Sequence, residues 1–159
     1  MRRRRPPRIR LSPRGARTAA ELSQRYPNVR VCADNQDVAN RSEVAVLTVR
    51  PQDRAEVLVR VRVGDDGVVI SLMAGVGIGE LRETLGTGTP VVRAIPQPTV
   101  RERRSVTVTC PSHPVADDLF DGLGVVCPSR TSRSHERAPA STGVQVPSPV
   151  DDMIRSVLR

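Results

Sequence analysis

The sequence has no lysine and no tryptophan, and its aromatic residues are limited to Tyr26 and Phe120. All 25 basic residues are therefore arginine, and the formal net charge is +8. Such a charge can attract the phosphates of a nucleotide or a nucleic acid, or it can be a solvated arginine-rich surface. Because single-strand binding uses aromatic side chains for base stacking, a nucleic-acid binder is the least favoured hypothesis.

Long apolar segments are also absent from the sequence. No run reaches the roughly 18 apolar residues of a transmembrane helix. The basic start at residues 1–7 is not followed by the apolar segment of a secretory signal. We therefore expect a cytoplasmic protein without a membrane-spanning segment.

The cysteines form no CxxC pair, and they are three in number. An odd number of cysteines without a secretory signal favours reduced thiols. Cys110, His113, Cys127 and His135 could together ligate zinc. Small residues in buried strands explain the two cysteines more simply, so we predict no metal site.

Short apolar runs alternate with segments of helical period along residues 8–127. Continuous apolar runs that end in turn residues are typical of strands buried on both faces. Strands that alternate with helices indicate βαβ units, and hence an α/β protein with a doubly wound parallel sheet. The predicted strands span 8–11, 29–33, 44–49, 68–74, 91–95, 106–110 and 125–127, and the predicted helices span 16–26, 36–41, 51–63, 78–85 and 114–123.

The two ends of the chain lack this periodicity. Residues 1–7 form a basic, proline-containing lead, and residues 128–159 are rich in serine, proline and arginine. Such compositions are typical of disordered segments. We expect a disordered lead and a disordered or weakly helical tail, and nothing in the sequence anchors the last nine residues.

Five segments resemble, in order, the pyrroline-5-carboxylate reductases: SPRGART, NVRVCADNQDV, SEVAVLTVRPQDRAEVL, VVISLMAGVGIGEL and VVRAIPQPT. The pieces VRPQD and SLMAGVGI are the most specific. The resemblance covers residues 8–127 and implies an incomplete Rossmann-like domain that binds NADPH or NADH. It also implies a small imino-acid substrate, because the family reduces pyrroline-5-carboxylate to proline.

The resemblance assigns the adenosine end of the cofactor to Ser12, Arg14, Arg17 and Asn35. The three residues of SPRGART would hold the 2′-phosphate of NADPH, and guanidinium groups are suited to a phosphate. Surface charge is the alternative explanation for the two arginines. A helix cap is the alternative for Asn35, and Asp34 could equally provide that cap.

The resemblance places further site residues at the ends of later strands. Ordinary turn chemistry would also select proline and glycine there. In the last of these loops the family usually reads Met-Pro-Asn-Thr-Pro, whereas this chain has Gln97 and Pro98 after Pro96. The substrate could therefore also be that of a related imino-acid or ketone reductase. The implied residues are Thr48, Val49, Arg50, Pro51, Met73, Ala74 and Gly75 for the cofactor, and Pro96 and Gln97 for the substrate.

Two family features have no counterpart in the sequence. The first is the opening strand with its glycine-rich turn for the pyrophosphate, since GVGIG at 75–79 matches a later segment. The strands at 8–11 and 44–49 would then either pair directly or leave the amino-terminal half loosely packed. The second is the helical carboxyl-terminal domain that forms the dimer and supplies a hydroxyl donor.

These differences set the functional expectation. We expect a reductase fragment with weak or no activity, no assignable catalytic residue and no dimer of the usual family kind. The alternative is a non-catalytic module that binds a nucleotide or associates with a relative.

Overall fold

The structure is a computed structural model that describes residues 7–129. The predicted lead and tail therefore lie outside the described residues, apart from Pro7, Pro128 and Ser129. No helix in the described part of the chain is long and apolar enough to cross a membrane.

Seven strands and five α-helices follow one another in nearly the predicted order. The strands are β1 (Ile9–Leu11), β2 (Val29–Val31), β3 (Val44–Leu47), β4 (Val68–Ser71), β5 (Val91–Pro96), β6 (Ser105–Cys110) and β7 (Gly124–Pro128). The helices are α1 (Ala16–Arg25), α2 (Asn35–Asn40), α3 (Arg54–Leu58), α4 (Ile78–Leu85) and α5 (Pro114–Asp121). Short 3-10 turns span Pro13–Gly15, Pro51–Asp53 and Pro98–Glu102.

The predicted helix 51–63 is the element that differs most. It begins as a 3-10 turn, and α3 ends at Leu58. The chain after it carries Val59, Val61 and Val63, and β-branched side chains lose rotamer freedom in a helix. Val61 and Val63 are buried in the core although their backbone is not helical. The apolar spacing that predicted a helix here therefore reflects burial of an irregular segment.

The main sheet has the order β3-β4-β5-β6-β7. The pairs β3–β4, β4–β5 and β6–β7 are parallel, which confirms the predicted α/β class with a parallel-dominated sheet. The pair β5–β6 is antiparallel. No α-helix joins these two strands, and a short connection such as the turn at Pro98–Glu102 suits antiparallel neighbours, whereas a parallel crossover needs a longer one.

Strands β1 and β2 form a separate parallel pair. Of the two alternatives for the amino-terminal half, direct pairing of the first strand with the third does not occur within residues 7–129. The bonds of β1 to β2 use Ile9 and Leu11, so the backbone groups of Arg10 face the opposite edge. In β3 the same alternation turns the backbone groups of Val44 and Val46 away from β4. The outer edges of β1 and β3 therefore pair with no other strand of the described residues.

Helix α2 connects the two-stranded unit to the rest of the fold. The Gln36 Nε2 donates to the Arg62 carbonyl at 2.9 Å, and the Arg62 N–H donates back to Gln36 Oε1 at 2.8 Å. Ala39 of the same helix belongs to the core cluster that contains Val57 of α3. The amino-terminal unit is thus attached through its helix and not through its strands.

The core has two parts, one on each face of the main sheet. On the first face, α3 and α4 cover β3, β4 and the start of β5, with Leu58, Leu81 and Leu85 buried against Val69 and Val91. On the second face, α5 covers Ile70, Val92 and Ala94 with Ala116 and Phe120. Apolar residues on both sides of β4 and β5 explain why these strands read as continuous apolar runs.

Two glycines near β7 provide a matched test of backbone packing. A Cβ added at Gly124, where φ is +147°, would lie 2.1 Å from the Ser105 carbonyl oxygen, whereas one at Gly122 would lie 3.5 Å from its nearest neighbour. We therefore predict that Gly124→Ala lowers the free energy of unfolding by at least about 2 kcal/mol, because the β6–β7 backbones must separate. Gly122→Ala, with φ at −64°, should change it by less than about 1 kcal/mol. Urea unfolding measures both, and equal midpoints would contradict the packing described.

Candidate functional site

The candidate site is the edge where the parallel strands end. Strands β3, β4 and β5 are parallel, with Leu47 paired to Ser71 and Ser71 to Arg93, so their carboxyl ends point to the same edge of the sheet, and β5 continues beyond this level to Pro96. Ligands of open parallel sheets bind beyond this edge. All thirteen residues implied by the sequence lie at the carboxyl end of β5, in the loops that follow β1 to β5, or in the first turn of the helix after such a loop.

Ser12 and Asn35 join the first two of these loops. The Ser12 hydroxyl donates to Asn35 Oδ1 at 2.6 Å and accepts the Arg14 N–H at 3.2 Å. The latter bond caps the turn Pro13–Gly15. Both side chains are half-buried, so they form a preorganised polar base for this corner of the site.

The cap of α2 is Asp34 and not Asn35. Asp34 Oδ1 accepts the Asp37 N–H at 2.7 Å, and its backbone is extended as an N-cap requires. The helix-cap interpretation of Asn35 is therefore wrong, because Asn35 is the first helical residue and its amide oxygen is bonded to Ser12.

Arg14 and Arg17 are exposed beside this pair. Arg14 Nη2 lies 3.9 Å from Asp53 Oδ2, which brings the loop after β1 next to the loop after β3. This exposed ion pair is weak, so the guanidinium remains available to another anion. Arg17 lies in the first turn of α1, where the helix dipole also favours negative charge.

The turn after β2 is held by a cluster of three polar side chains. Asp37 accepts hydrogen bonds from the Arg41 guanidinium and the Ala33 N–H, and these lower the pKa of its carboxyl. Burial, followed by the Asp37 charge, raises the pKa of the Cys32 thiol. This shift favours the protonated thiol, and Cys32 is buried.

In the loop after β3, two side chains face outward and one packs inward. Thr48 and Arg50 are exposed, and Val49 is half-buried and packs against the core. Pro51 opens the turn in which the Asp53 N–H donates to the Arg50 carbonyl at 3.0 Å. This turn fixes the loop before α3 begins.

The loop after β4 differs from the expectation in one respect. Ala74 and Gly75 are exposed, and Gly75 has a φ of +70°, a conformation that glycine adopts without strain. Met73, however, is 4% exposed and its side chain belongs to the core. Met73 can therefore contribute to a ligand site through its backbone alone.

Glu80 joins the loops after β3 and β4. Its carboxylate accepts hydrogen bonds from the Arg54 guanidinium at 3.1 and 3.3 Å and from the Gly77 N–H at 3.0 Å. The bonds from Arg54, and then that from Gly77, hold the pKa of Glu80 below its ordinary value. Because the Glu80 carboxylate already accepts the Gly77 N–H, this amide is not free to hold a phosphate.

The loop after β5 contains the expected substrate residues. The Gln97 N–H donates to Ser105 Oγ at 3.1 Å, and the Gln97 side chain is exposed. Pro96 is half-buried at the end of the strand. The backbone of the loop is thus anchored to β6 while its amide side chain faces outward.

Sequence reasoning overlooked Arg93, in the middle of β5. Its side chain is 2% exposed, and its Nε and Nη2 have no hydrogen-bond acceptor among residues 7–129. It lies on the first face of the sheet between its register partners Ser71 and Cys110. A single arginine inside the apolar run VVRAIP was the available signal, since a buried charge normally requires a partner.

Comparison with known proteins shows consistent relationships. Residues 4–75 match the family model described as NADP oxidoreductase, coenzyme F420-dependent. The chain is 33% identical over 96 residues to pyrroline-5-carboxylate reductase from Corynebacterium melassecola, covering 57% of this chain and 35% of that protein. It is 39% identical over 88 residues to the enzyme from Synechocystis sp., covering 53% and 31%.

The chain is similar in sequence to the pyrroline-5-carboxylate reductases. Its structure resembles that of the Streptococcus pyogenes reductase with a TM-score of 0.69 at 18% identity, covering 83% of this chain and 52% of that one. The Plasmodium falciparum reductase with NADP bound gives a TM-score of 0.57 at 18% identity, covering 65% and 42%. The predicted resemblance and the Rossmann-like fold are thus confirmed.

The chain spans about a third of the length of the curated relatives above. The predicted nicotinamide cofactor agrees with the description of the matching family model. The donor set of Ser12, Arg14 and Arg17 fits a phosphate, because it combines a hydroxyl with two exposed cations. Residues 7–129 do not include the glycine-rich turn that would hold the pyrophosphate.

The bonding of Glu80 predicts a measurable change in its ionisation. Arg54→Gln should raise the pKa of Glu80 toward the ordinary value of about 4.3, because the charged donor is lost. The depressed pKa makes Glu80 stabilising above its unfolded-state pKa, and this contribution is lost as the pH falls through the folded-state pKa. An NMR titration of the side-chain carboxyl measures the shift. Arg82→Gln, in the same helix, is the control, and an unchanged pKa in Arg54→Gln would contradict the bonding.

Proposed function

We propose that this chain is the cofactor-binding part of a pyrroline-5-carboxylate reductase, a cytoplasmic enzyme of proline biosynthesis that uses NADPH. The observation that carries the proposal is the polar corner formed by Ser12, Arg14, Arg17 and Asn35 at the end of β1. It combines a hydroxyl and two exposed guanidinium groups, and no carboxylate of residues 7–129 is hydrogen-bonded to Ser12. An acidic residue at this point would instead favour the free ribose hydroxyl of NADH.

The proposed path of the cofactor follows the strand ends. The 2′-phosphate lies against Ser12, Arg14 and Arg17, with Asn35 orienting the serine hydroxyl. From there the path crosses the loop at 48–51 and reaches the loop at 73–75. Exposed Ala74 and Gly75 permit close approach of a flat ring, because neither carries a large side chain.

The substrate part of the proposal depends on the loop after β5. When bound, the nicotinamide supplies the hydride for reduction of an imine. Pro96 and Gln97 then limit where a small imino acid can lie, and the outward Gln97 amide offers both a donor and an acceptor. No catalytic proton donor is assigned among the described residues. We therefore propose weak or no turnover by this chain alone, since positioning without a proton donor supplies only part of the rate.

Cofactor discrimination tests the arginine assignment. Arg14→Ala and Arg17→Ala should each weaken NADPH binding about 10- to 100-fold, the value of a charge-assisted hydrogen bond, and leave NADH binding unchanged. A titration that follows the nicotinamide fluorescence measures both affinities. The chain has no tryptophan, so tryptophan emission does not contribute to the signal. Arg25→Ala, at the other end of α1, is the charge-matched control. Equal losses for NADH and NADPH would show that these arginines do not read the 2′-phosphate.

The unpaired edges of β1 and β3 favour a second candidate, a nucleotide-binding module that associates with a full-length relative. Backbone groups on exposed strand edges are templates for pairing with another chain. This candidate predicts co-purification with a full-length reductase and no NADPH oxidation by the chain alone. Sedimentation of the mixture measures association. A chain that stays monomeric in the presence of the relative would leave the reductase proposal as the remaining one.

A further inference from the structure

Asp53 stands at the start of α3 but does not cap the helix. An aspartate at this position usually accepts an N–H of the first helical turn. The Asp53 side chain makes no such bond, and its backbone, with φ at −90° and ψ at −5°, is not extended as that of Asp34 is. Its Oδ2 lies instead 3.9 Å from Arg14 Nη2, in the loop after β1. Helix capping therefore does not explain the carboxylate at this point.

The backbone on both sides of Asp53 is held in place. Its own N–H donates to the Arg50 carbonyl at 3.0 Å. The next residue, Arg54, binds both carboxylate oxygens of Glu80, at 3.1 and 3.3 Å. Because Arg54 is engaged by this bidentate pair, its charge is compensated by Glu80 and not by Asp53. Asp53 thus keeps a negative charge beside the polar corner.

The pair between Arg14 and Asp53 is suited to exchange with another anion. Its separation of 3.9 Å is longer than a hydrogen bond, and the two side chains are 53% and 37% exposed. Exposed ion pairs of this kind contribute little. A guanidinium can instead donate two parallel N–H bonds to a phosphate. A phosphate is therefore the stronger partner for Arg14, and the two anions compete for one cation.

The alternative role for this ion pair is a tether between the β1–β2 unit and the main sheet. The reciprocal bonds between Gln36 and Arg62, at 2.9 and 2.8 Å, already attach this unit, as does the burial of Ala39. The two roles also differ in the sign of their effect. Loss of a tether would displace Arg14 and weaken the binding of a phosphate, whereas loss of a competitor would strengthen it.

We propose that Asp53 is a specificity-determining residue, which competes with the 2′-phosphate of the cofactor for Arg14 and so limits the preference for NADPH over NADH. Arg14 pairs with Asp53 in the free protein and exchanges it for the phosphate on binding. NADH has a hydroxyl at that position and does not require the exchange. The inference rests on the proposed function, because it assumes that the polar corner takes the 2′-phosphate.

Asp53→Asn in the full chain tests the competition, because it removes the charge and keeps the shape of the side chain. Isothermal titration calorimetry at low ionic strength compares two probes, adenosine 2′,5′-bisphosphate and adenosine 5′-monophosphate. The variant should bind the bisphosphate about two- to fivefold more tightly and the monophosphate with unchanged affinity. Asp53→Ser, which is also suited to an N-cap, should give the same result.

Two further proteins separate competition from a general effect of charge. Asp66→Asn makes the same change of net charge in the exposed turn before β4, at the opposite edge of the sheet, and should leave both affinities unchanged. In an Arg14→Ala background, Asp53→Asn should lose its effect on the bisphosphate, because the shared cation is gone.

Unchanged or weaker binding of the bisphosphate by Asp53→Asn would overturn the inference, and weaker binding would assign the ion pair to the tether. Equal gains in Asp53→Asn and Asp66→Asn, or a gain that persists without Arg14, would overturn it as well. No binding of the bisphosphate by any of the proteins would overturn the proposed function together with the inference. Binding that is equally strong in the unmodified chain and in Asp53→Asn would overturn the inference alone.

Discussion

The parallel register of β3, β4 and β5 is the constraint on which the candidate site depends. Because β3, β4 and β5 run in the same direction, the three following loops start from the same edge of the sheet. Polar contacts then connect neighbouring loops, from Ser12 to Asn35, from Arg14 to Asp53 and from Arg54 to Glu80. Residues that are far apart in the sequence thereby form one continuous surface.

The attachment of the β1–β2 unit shows that strand pairing is not the only way to hold such a surface together. The unit has no backbone bond to β3 within the described residues, yet its loop reaches Asp53 through Arg14. The reciprocal Gln36–Arg62 bonds and the burial of Ala39 position α2 against the chain that follows α3. Helix packing thus keeps the polar corner at the same edge as the later loops, while two strand edges stay open.

Local signals predicted most elements because each depends on a few adjacent residues. Pro13, Gly86 and Pro114 mark helix or turn boundaries through their own backbone preferences. Two adjacent residues that are both suited to the same structural role were harder to tell apart from the sequence. Asp34 and Asn35 can both cap a helix, and the choice was made by a contact with Ser12, which lies 23 residues away. In the same way, Met73 at a strand end was expected at the cofactor, but the core behind α4 holds its side chain.

The sequence alone determined the α/β class, the positions of the strand-end loops and the family resemblance, because hydrophobic period and turn residues act over short distances. Only the tertiary structure decided the antiparallel direction of β6, the separation of β1 from β3, the unpaired buried guanidinium of Arg93 and the open face of β6 and β7. These features depend on which elements pack against one another. An apolar strand residue has the same sequence signal whether a helix covers it or not, so its partner becomes known only when the elements are assembled.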